Sequence, residues 1–314
     1  MSRYVVTGGA GFIGSHICEE LLRRGHSVAA LDNFATGRRE NLSHLERDLE
    51  IIEGDLRDLD TVRRAVRGAD YVLHQGALPS VPRSVADPIT THQVNTEGTL
   101  DVLVAARDER VKRVVFASSS SVYGDTPVLP KREDMTPAPK SPYAVSKLTG
   151  EHYCRVFFEI YGVETVALRY FNVFGPRQNP LSQYAAAIAK FIRAMMDSGQ
   201  ITIYGDGEQT RDFTYVANVV DANLLAATAP GAGGQVFNIA CGGQISLNEI
   251  VRRLAEIAGS EPRVQHDSPR AGDVRDSFAD ISRAAAVLGY QARVDAETGL
   301  RLTWEWSRAQ RPGG

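Results

Sequence analysis

Short apolar runs alternate along this chain with longer stretches at helical spacing. Tyr4-Val5-Val6, Ser27 to Leu31, Leu49 to Glu53, Asp70 to His74, Val111 to Ala117 and Thr165 to Leu168 have the length and make-up of buried strands. After the first run, Phe12, Ile13, Ile17, Leu21 and Leu22 recur near i, i+4, i+8, which predicts a helix. Val62 to Val66 reads as a short helix, and Pro88 to Arg107 and Ser141 to Tyr161 as long ones. Further on, the pattern predicts a helix from about Tyr184 to Met196 and strands at Ile201 to Tyr204 and Gln235 to Ala240. It ends in a helix at Leu300 to Ala309, whose Trp304 and Trp306 read as packing. No internal repeat, low-complexity segment or long linker interrupts this order.

Composition narrows the classes. The 314 residues suffice for a large domain and a smaller one, with 43% hydrophobic and 23% charged residues, as in ordinary globular proteins. A formal net charge of −3 gives no overall pull toward nucleic acid or an anionic membrane, so an anionic ligand must be met by local arginines. Cys18, Cys154 and Cys241 make no metal or redox spacing and read as small core residues in a reducing compartment. No metal site is expected. No apolar run is long enough to span a bilayer, and the chain enters a strand at once without a signal peptide, so the expected location is the cytoplasm.

The candidate chemistry begins at Thr7-Gly8-Gly9-Ala10-Gly11-Phe12-Ile13-Gly14, between the first strand and the first helix. A pyrophosphate approaches backbone N–H groups at a helix N-terminus, where the dipole favours negative charge. A side chain at Gly8 or Gly11 would block the turn or that approach, and one at Gly14 would push the helix off the strand. Three spaced glycines can also be a plain turn; strand before and helix after favour a dinucleotide site. Asp32 ends the second strand, where a carboxylate accepts from both adenosine ribose hydroxyls and repels a 2′-phosphate, favouring NAD over NADP; Arg38 and Arg39 nearby weigh the other way. Asp55 follows the third strand, where it would meet an adenine amino group or merely cap a helix. His74-Gln75-Gly76-Ala77 ends the fourth strand with small residues that let a flat ligand lie close, His74 itself reading as a structural histidine. Asn95, on the following helix, is placed to reach back to these tips. Ser118-Ser119-Ser120-Ser121 ends the fifth strand, facing a cleft or forming a polar turn.

Tyr143 and Lys147 are four apart on a predicted helix and share a face. An ammonium beside a phenol is expected to stabilise the phenolate and draw its pKa toward neutrality, making a usable base. Tyr-x-x-x-Lys alone is usually a solvated helix face. In this order, after the glycine turn and the serine-ended strand, it resembles the extended short-chain dehydrogenase/reductase family, and in particular its nucleotide-sugar 4-epimerases, over nearly the whole chain.

That resemblance implies an α/β fold: a Rossmann-type doubly wound parallel sheet with a smaller α/β substrate-binding domain. It sets the NAD-binding domain at 1–175, with an interleaved return near 210–240, and a mainly nucleotide-sugar-binding domain at 176–314. It implies Ser119, Tyr143 and Lys147 as the catalytic set. NAD would be held by Gly8, Gly11, Phe12, Ile13, Gly14, Asp32, Asn33, Asp55, Leu56, Gln75, Ala77, Asn95, Tyr143, Lys147 and Tyr170. A UDP-sugar would meet Ser80, Ser119, Ser120, Tyr143, Asn172, Tyr204, Arg211, Arg270, Asp273 and Ser277. The reaction implied is 4-epimerisation through a transient 4-keto sugar, with NAD regenerated in place. Where the family often has Asp two residues after the Val of Thr-Tyr-Val, this chain has Asn218, read as a lost helix-capping charge.

Rivals are weighed on particular residues. A 4,6-dehydratase needs an Asp-Glu pair where this chain has Ser119-Ser120-Ser121. Enzymes acting on UDP-glucuronate resemble Gly-Pro-Arg-Gln-Arg-Pro after the sixth strand; here Gly175-Pro176-Arg177-Gln178-Asn179-Pro180 lacks the second arginine, which favours a neutral sugar. A nucleotide-sensing binding protein on the same fold would be expected to lose Tyr143 or Lys147. Ser277, four residues after Asp273, stands where a Tyr in related 4-epimerases closes the pocket to N-acetyl groups; a small residue leaves room for UDP-GlcNAc and UDP-GalNAc beside UDP-Glc and UDP-Gal. Arg275 is either an anion contact or a surface ion pair. A second apolar stripe on the two long helices, including Val102, Val104, Val156 and Phe157, implies a homodimer.

Overall fold

The computed structural model describes residues 1–180, 187–197, 199–268 and 275–311. Its first strands are β1 (Arg3–Thr7), β2 (Ser27–Asp32), β3 (Leu49–Glu53), β4 (Tyr71–His74), β5 (Arg113–Ser119) and β6 (Thr165–Tyr170). There follow β7 (Val173–Phe174), β8 (Gln200–Tyr204), β9 (Thr210–Arg211), β10 (Thr214–Tyr215), β11 (Gln235–Ile239), β12 (Ile245–Ser246), β13 (Arg263–Asp267) and β14 (Asp276–Ser277). The helices are α1 (Phe12–Arg23), α2 (Leu59–Val66), α3 (Val81–Ala86), α4 (Pro88–His92), α5 (Gly98–Asp108) and α6 (Pro142–Tyr161), then α7 (Ala187–Asp197), α8 (Val216–Thr228), α9 (Leu247–Ala258), α10 (Ser282–Leu288) and α11 (Ala296–Ala309).

Seven strands form one parallel sheet in the order β11-β6-β5-β4-β1-β2-β3. This is the doubly wound Rossmann order extended by β11. The order reverses between β1 and β4, where the loops leave the strand ends on opposite sides and open a crevice. Both faces are covered, so alternate side chains of each strand enter different cores. Val5, Ala29, Val72, Val114 and Phe116 pack toward α2, α5 and α6. Tyr4, Val6, Val28, Ala30, Leu73 and Val115 enter the other core, with α1 and α8. Burying each such side chain contributes about 1.5–3 kcal/mol, so a polar group inside these layers needs a partner. His74 has two: Nδ1 lies 2.6 Å from Thr7 Oγ1 and Nε2 3.0 Å from Thr99 Oγ1. Thr99 donates onward to the Asn95 carbonyl, so its oxygen receives Nε2–H, and this network assigns the neutral Nε2–H tautomer. Burial lowers the His74 pKa to about 3, and the residue is structural, as the sequence reading holds.

The remaining strands are short. β7 pairs with β10, β9 lies between β12 and β14, and β8 pairs with β13. They sit beyond the ends of β5, β6 and β11, with α7, α9 and α11 packed together behind them.

Several expectations change. The long helix of 88–107 is broken: a π-helical turn at Gln93–Glu97 separates α4 from α5. Val102 and Phe157 are not an outer stripe, because both are buried in the core beside the sheet. Val156 of the expected stripe is exposed, together with Val85, Ile89, Val145 and Ile160 on α3, α4 and α6. Asn218 lies in the first turn of α8, which carries no acidic residue, and its amide makes both bonds with the backbone of Val294, accepting at 3.0 Å and donating at 2.7 Å. Cys18 and Cys154 are buried and Cys241 half-buried, all as free thiols. Among the described residues no helix is long and apolar enough to cross a membrane.

Candidate active site

A cleft of about 980 Å³ opens at the carboxyl ends of β1, β2, β4 and β5. One end is the glycine turn. Gly8 has φ +66°, and a Cβ there would stand 2.8 Å from the Gly76 backbone. A Cβ on Gly14 would stand 2.1 Å from the Gly8 carbonyl oxygen, so α1 packs against the turn only without one. Gly11 is the N-cap of α1, and no side chain caps the helix. The first N–H groups of the helix therefore face the cleft wall made by Gly11, Phe12, Ile13 and Gly14. A cradle that a Cβ would fill, at an uncapped helix N-terminus, fits a pyrophosphate.

The neighbouring wall is acidic. Asp32 is 8% exposed; its two oxygens accept from Ala10 N–H at 3.0 Å and Phe34 N–H at 2.8 Å. Burial raises its pKa and these two bonds pull it back. A carboxylate has lone pairs to spare beyond two bonds, so Asp32 retains capacity for ribose hydroxyls. Asn33 donates to Asp55 at 2.9 Å, and Arg57 forks onto the same carboxylate at 2.7 and 2.9 Å. That fork holds Asp55 well below the usual carboxylate range. The cap of α2 is Asp58, not Asp55. Asn33, Asp55 and Leu56 all line the cleft. Arg38 lines it too, whereas Arg39 pairs with Glu53 and stacks on the Phe34 ring at 3.9 Å.

At the middle, α6 brings Tyr143 and Lys147 to the end of β5. Ser141 caps the helix through Ala144 N–H at 3.1 Å, and Pro142 fits its first turn, which fixes where Tyr143 begins. Ser119 ends β5 close enough to Tyr143 to lower the phenol's pKa by hydrogen bonding. Lys147 Nζ donates to the Ala117 carbonyl at 2.8 Å and lies 5.9 Å from the centre of the Tyr143 ring. The expected drop of the tyrosine pKa toward neutrality is not what this geometry produces. Burial raises Tyr143, and the opposing pull comes from Ser119. The reason is that Lys147 points its ammonium at a carbonyl, and burial lowers its own pKa to about 8.

Ser118 lines the cleft, while Ser120 opens the 3-10 turn that follows β5. Gln75, Ala77 and Tyr170 line it as well. The Tyr170 hydroxyl lies 3.1 Å from Gln75 Oε1, and Gln75 Nε2 donates to Asn223 at 2.9 Å. Asn95 is buried with both amide hydrogens engaged, by the Leu78 carbonyl at 3.1 Å and Ser146 Oγ at 3.2 Å. Its oxygen accepts Leu78 N–H at 2.7 Å. Asn95 therefore shapes the cleft through the loop after β4, which corrects the expectation of direct cofactor contact. In that loop Ser80 holds φ +111° and caps α3 through Arg83 N–H at 3.3 Å, a strained backbone at the cleft wall.

The short strands and the turns between them carry Asn172, Tyr204, Arg211 and Ser277, which are not among the residues lining this cleft. Asn172, at φ +35°, donates to the Asp212 carbonyl at 3.1 Å. Arg211 Nη1 donates to the carbonyls of Thr210 and Arg275, both at 2.8 Å. Ser277 lies on β14 directly beside Arg211, on a strand rather than in a turn. Tyr204 ends β8, its carbonyl accepting from Gln209 at 2.6 Å. Arg275 forms an exposed ion pair with Asp206 at 3.4 Å. Arg270 and Asp273 lie outside the described residues. Sequence reasoning passed over Arg177, which lines the cleft at φ +66° and reaches Ser15, Glu19 and His44. Nothing local signals these contacts, because they join loop and helix more than 130 positions apart. Among the described residues no group of His, Cys, Asp or Glu is arranged to hold a metal ion.

Comparison with known proteins agrees with this geometry. The profile of the NAD dependent epimerase/dehydratase family matches residues 4–240. A UDP-glucose 4-epimerase of Mycolicibacterium smegmatis is 39% identical over 310 residues, covering 98% of each chain. The structure of a UDP-N-acetylglucosamine 4-epimerase from Methanobrevibacter ruminantium, in complex with UDP-N-acetylmuramic acid, superposes with a TM-score of 0.94 at 41% identity, covering 99% of each chain. That of a Thermus thermophilus UDP-glucose 4-epimerase in complex with NAD gives 0.90 at 40% identity, covering 98% of this chain and 100% of the other.

Proposed function

The chain belongs to the NAD-dependent epimerase/dehydratase family, and from that premise we propose that it is an NAD-dependent UDP-hexose 4-epimerase. Its substrates would be UDP-Glc and UDP-Gal together with UDP-GlcNAc and UDP-GalNAc. The observation that carries this reading is that Tyr143 and Lys147, held at the end of β5 where Ser119 acts on Tyr143, line the same cleft as the glycine cradle.

NAD would lie with its pyrophosphate on the turn of Gly8, Gly11, Phe12, Ile13 and Gly14 and its adenosine ribose on Asp32 and Asn33. Asp55 and Leu56 would meet the adenine, and Lys147, Tyr143, Gln75, Ala77 and Tyr170 the nicotinamide end. Bound NAD supplies a reversible hydride acceptor, which turns an alcohol at carbon 4 into a transient ketone reducible from either face. The protein supplies the rest. Tyr143 as phenolate takes the proton of the 4-hydroxyl and later returns one. Ser119 donates to the same oxygen and, by its bond to Tyr143, favours the phenolate over the phenol. Lys147 holds a positive charge beside the ring in a buried setting, where it acts more strongly than in water.

At the sugar end Arg211 would bind the diphosphate, a role suited to a guanidinium fork. Ser80, Ser120, Asn172 and Tyr204 would surround the nucleotide-sugar, as would Arg270 and Asp273. Asn179 lines the cleft where an acid-specific enzyme would carry an arginine, which favours a neutral sugar. Ser277 leaves space for an N-acetyl group. A homodimer would form through α3, α4 and α6, whose exposed Val85, Ile89 and Val145 make an apolar surface that monomers seldom keep.

The test is to incubate the purified protein with each UDP-hexose and measure interconversion, and to identify by mass spectrometry the nucleotides released on denaturation. Epimerisation with released NAD is expected. NAD release without turnover of any of the four sugars refutes the substrate assignment. Light scattering at micromolar concentration should give twice the chain mass, and a monomer refutes the dimer.

A further inference from the structure

Two turns along α6 from Tyr143, and one from Lys147, stands Glu151, buried together with Arg169 of β6. Arg169 Nε donates to Glu151 Oε1 at 2.9 Å and Nη2 to Oε2 at 2.7 Å. Ser118 Oγ donates to the same Oε1. Ser118 and Arg169 are partners in the β5–β6 register. The pair therefore locks three elements together at one point: β5, β6 and α6. Beyond it, the guanidinium lies 4.7 Å from the centre of the Tyr123 ring, and the Tyr123 hydroxyl donates to Asn238 of β11 at 2.7 Å.

The locked point has chemical neighbours on both sides. Ala117, one residue before Ser118, provides the carbonyl that receives Lys147 Nζ. Ser119, one residue after, stands close enough to Tyr143 to lower its pKa. Both of these contacts join β5 to α6, and Ser118–Glu151 is the third. A small slide of β5 along α6 would disturb all three. Stability does not explain an ion pair here, because a buried pair is often no better than apolar side chains of similar volume. Arg169 even retains a buried Nη1 without a partner among the described residues.

We propose that Glu151 and Arg169 are positioning residues for the proton-transfer site. They hold Ser118, and so the register of β5 against α6, where Ala117 meets Lys147 and Ser119 meets Tyr143. The proposal rests on the 4-epimerase reading above. Neither side chain transfers a proton itself.

The test replaces the pair with apolar residues, Glu151→Leu with Arg169→Met, which avoids the lone buried charge that either single change would leave. Thermal melting and the NAD content released on denaturation first establish that the double variant is folded and loaded. The expected result is a fall in kcat of at least about tenfold with KM for the UDP-sugar within about twofold. The kinetic isotope effect on kcat with substrate deuterated at carbon 4 should rise, because the chemical step becomes slower relative to binding and release. A kcat within twofold of the parent overturns the proposal, as does a lower kcat with an unchanged isotope effect, which signals only fewer active molecules. If the double variant does not fold, Ser118→Ala carries the test, since it removes one hydroxyl and leaves the ion pair whole. A kcat at least threefold lower with a raised isotope effect supports the proposal, and any smaller change, or an unraised isotope effect, overturns it. Absence of turnover in the parent protein would instead refute the epimerase reading, a separate outcome.

Discussion

The cofactor cleft and the region proposed for the sugar are made differently. The cofactor end stands on the tips of β1, β2, β4 and β5, parallel neighbours in one sheet whose side chains are buried on both faces. The region proposed for the sugar is assembled from β7, β9, β10, β12 and β14, strands of two residues each, held by isolated contacts. Asp212 is the main such contact. Its buried carboxylate accepts backbone N–H groups of Cys241, Gly242 and Ala279 at 2.9, 3.1 and 3.3 Å, joining the β9–β10 segment to the ends of β11 and β14. Burial raises its pKa to about 6. The difference teaches where each function belongs. Proton transfer needs groups fixed to fractions of an ångström, and these stand on strand ends and a capped helix. Substrate choice tolerates and uses variation, and the residues proposed for it stand on short strands and loops.

The comparison can be pressed at its rigid end first. Tyr143→Phe removes the phenolate and should lower turnover by roughly two or more orders of magnitude, the usual scale for a lost general base. NAD should stay bound, as read from nucleotides released on denaturation. Near-normal turnover would show that the mechanism proposed for this end is wrong. Gly14→Ala puts a methyl group against the Gly8 carbonyl, so α1 must shift and the cradle open. Loss of most copurifying NAD is expected, and full NAD content would remove the cradle from the account.

Ser119→Ala tests the electrostatics of the middle. Its bond is what opposes the burial-driven rise of the Tyr143 pKa. The active form is the phenolate, so turnover rises with pH through that pKa. Removing the bond raises the pKa further and shrinks the phenolate fraction, so turnover near neutrality should fall by about tenfold or more. Unchanged turnover near neutrality would exclude Ser119 as the group setting the base.

The smallest effect is expected at the soft end. Ser277→Tyr should lower turnover of UDP-GlcNAc and UDP-GalNAc by about tenfold or more while UDP-Glc and UDP-Gal change little, because steric rejection discriminates more strongly than added space. Equal loss on both pairs would detach Ser277 from the pocket wall.

Much of the cofactor end was legible because its signals are local. A glycine triplet between a strand and a helix, an acid at a strand tip, and a Tyr-x-x-x-Lys face each occupy a few residues whose spacing is set by backbone geometry. Less of the sugar end was legible, since its strands are too short to show a period, and Ser277 takes its place beside Arg211 only by pairing across 66 positions. The long helix at 88–107 was misread for a related reason. Its apolar spacing continues across the π turn, and the turn is visible only where Asn95 binds Leu78 and Ser146.

By itself, the order of residues determined the fold class, the glycine cradle, the acidic strand tip and the helix that carries Tyr143 and Lys147, because these follow from backbone sterics and hydrophobic period. Tertiary structure alone decided the protonation balance: burial raises Tyr143 and lowers Lys147, and Ser119, arriving from β5, pulls the phenol back. It also decided that Arg177 reaches Glu19, that Asn218 clasps Val294, and that Glu151 meets Arg169. Desolvation and long-range pairing depend on what surrounds a group in space, and the chain does not write that in its neighbouring positions.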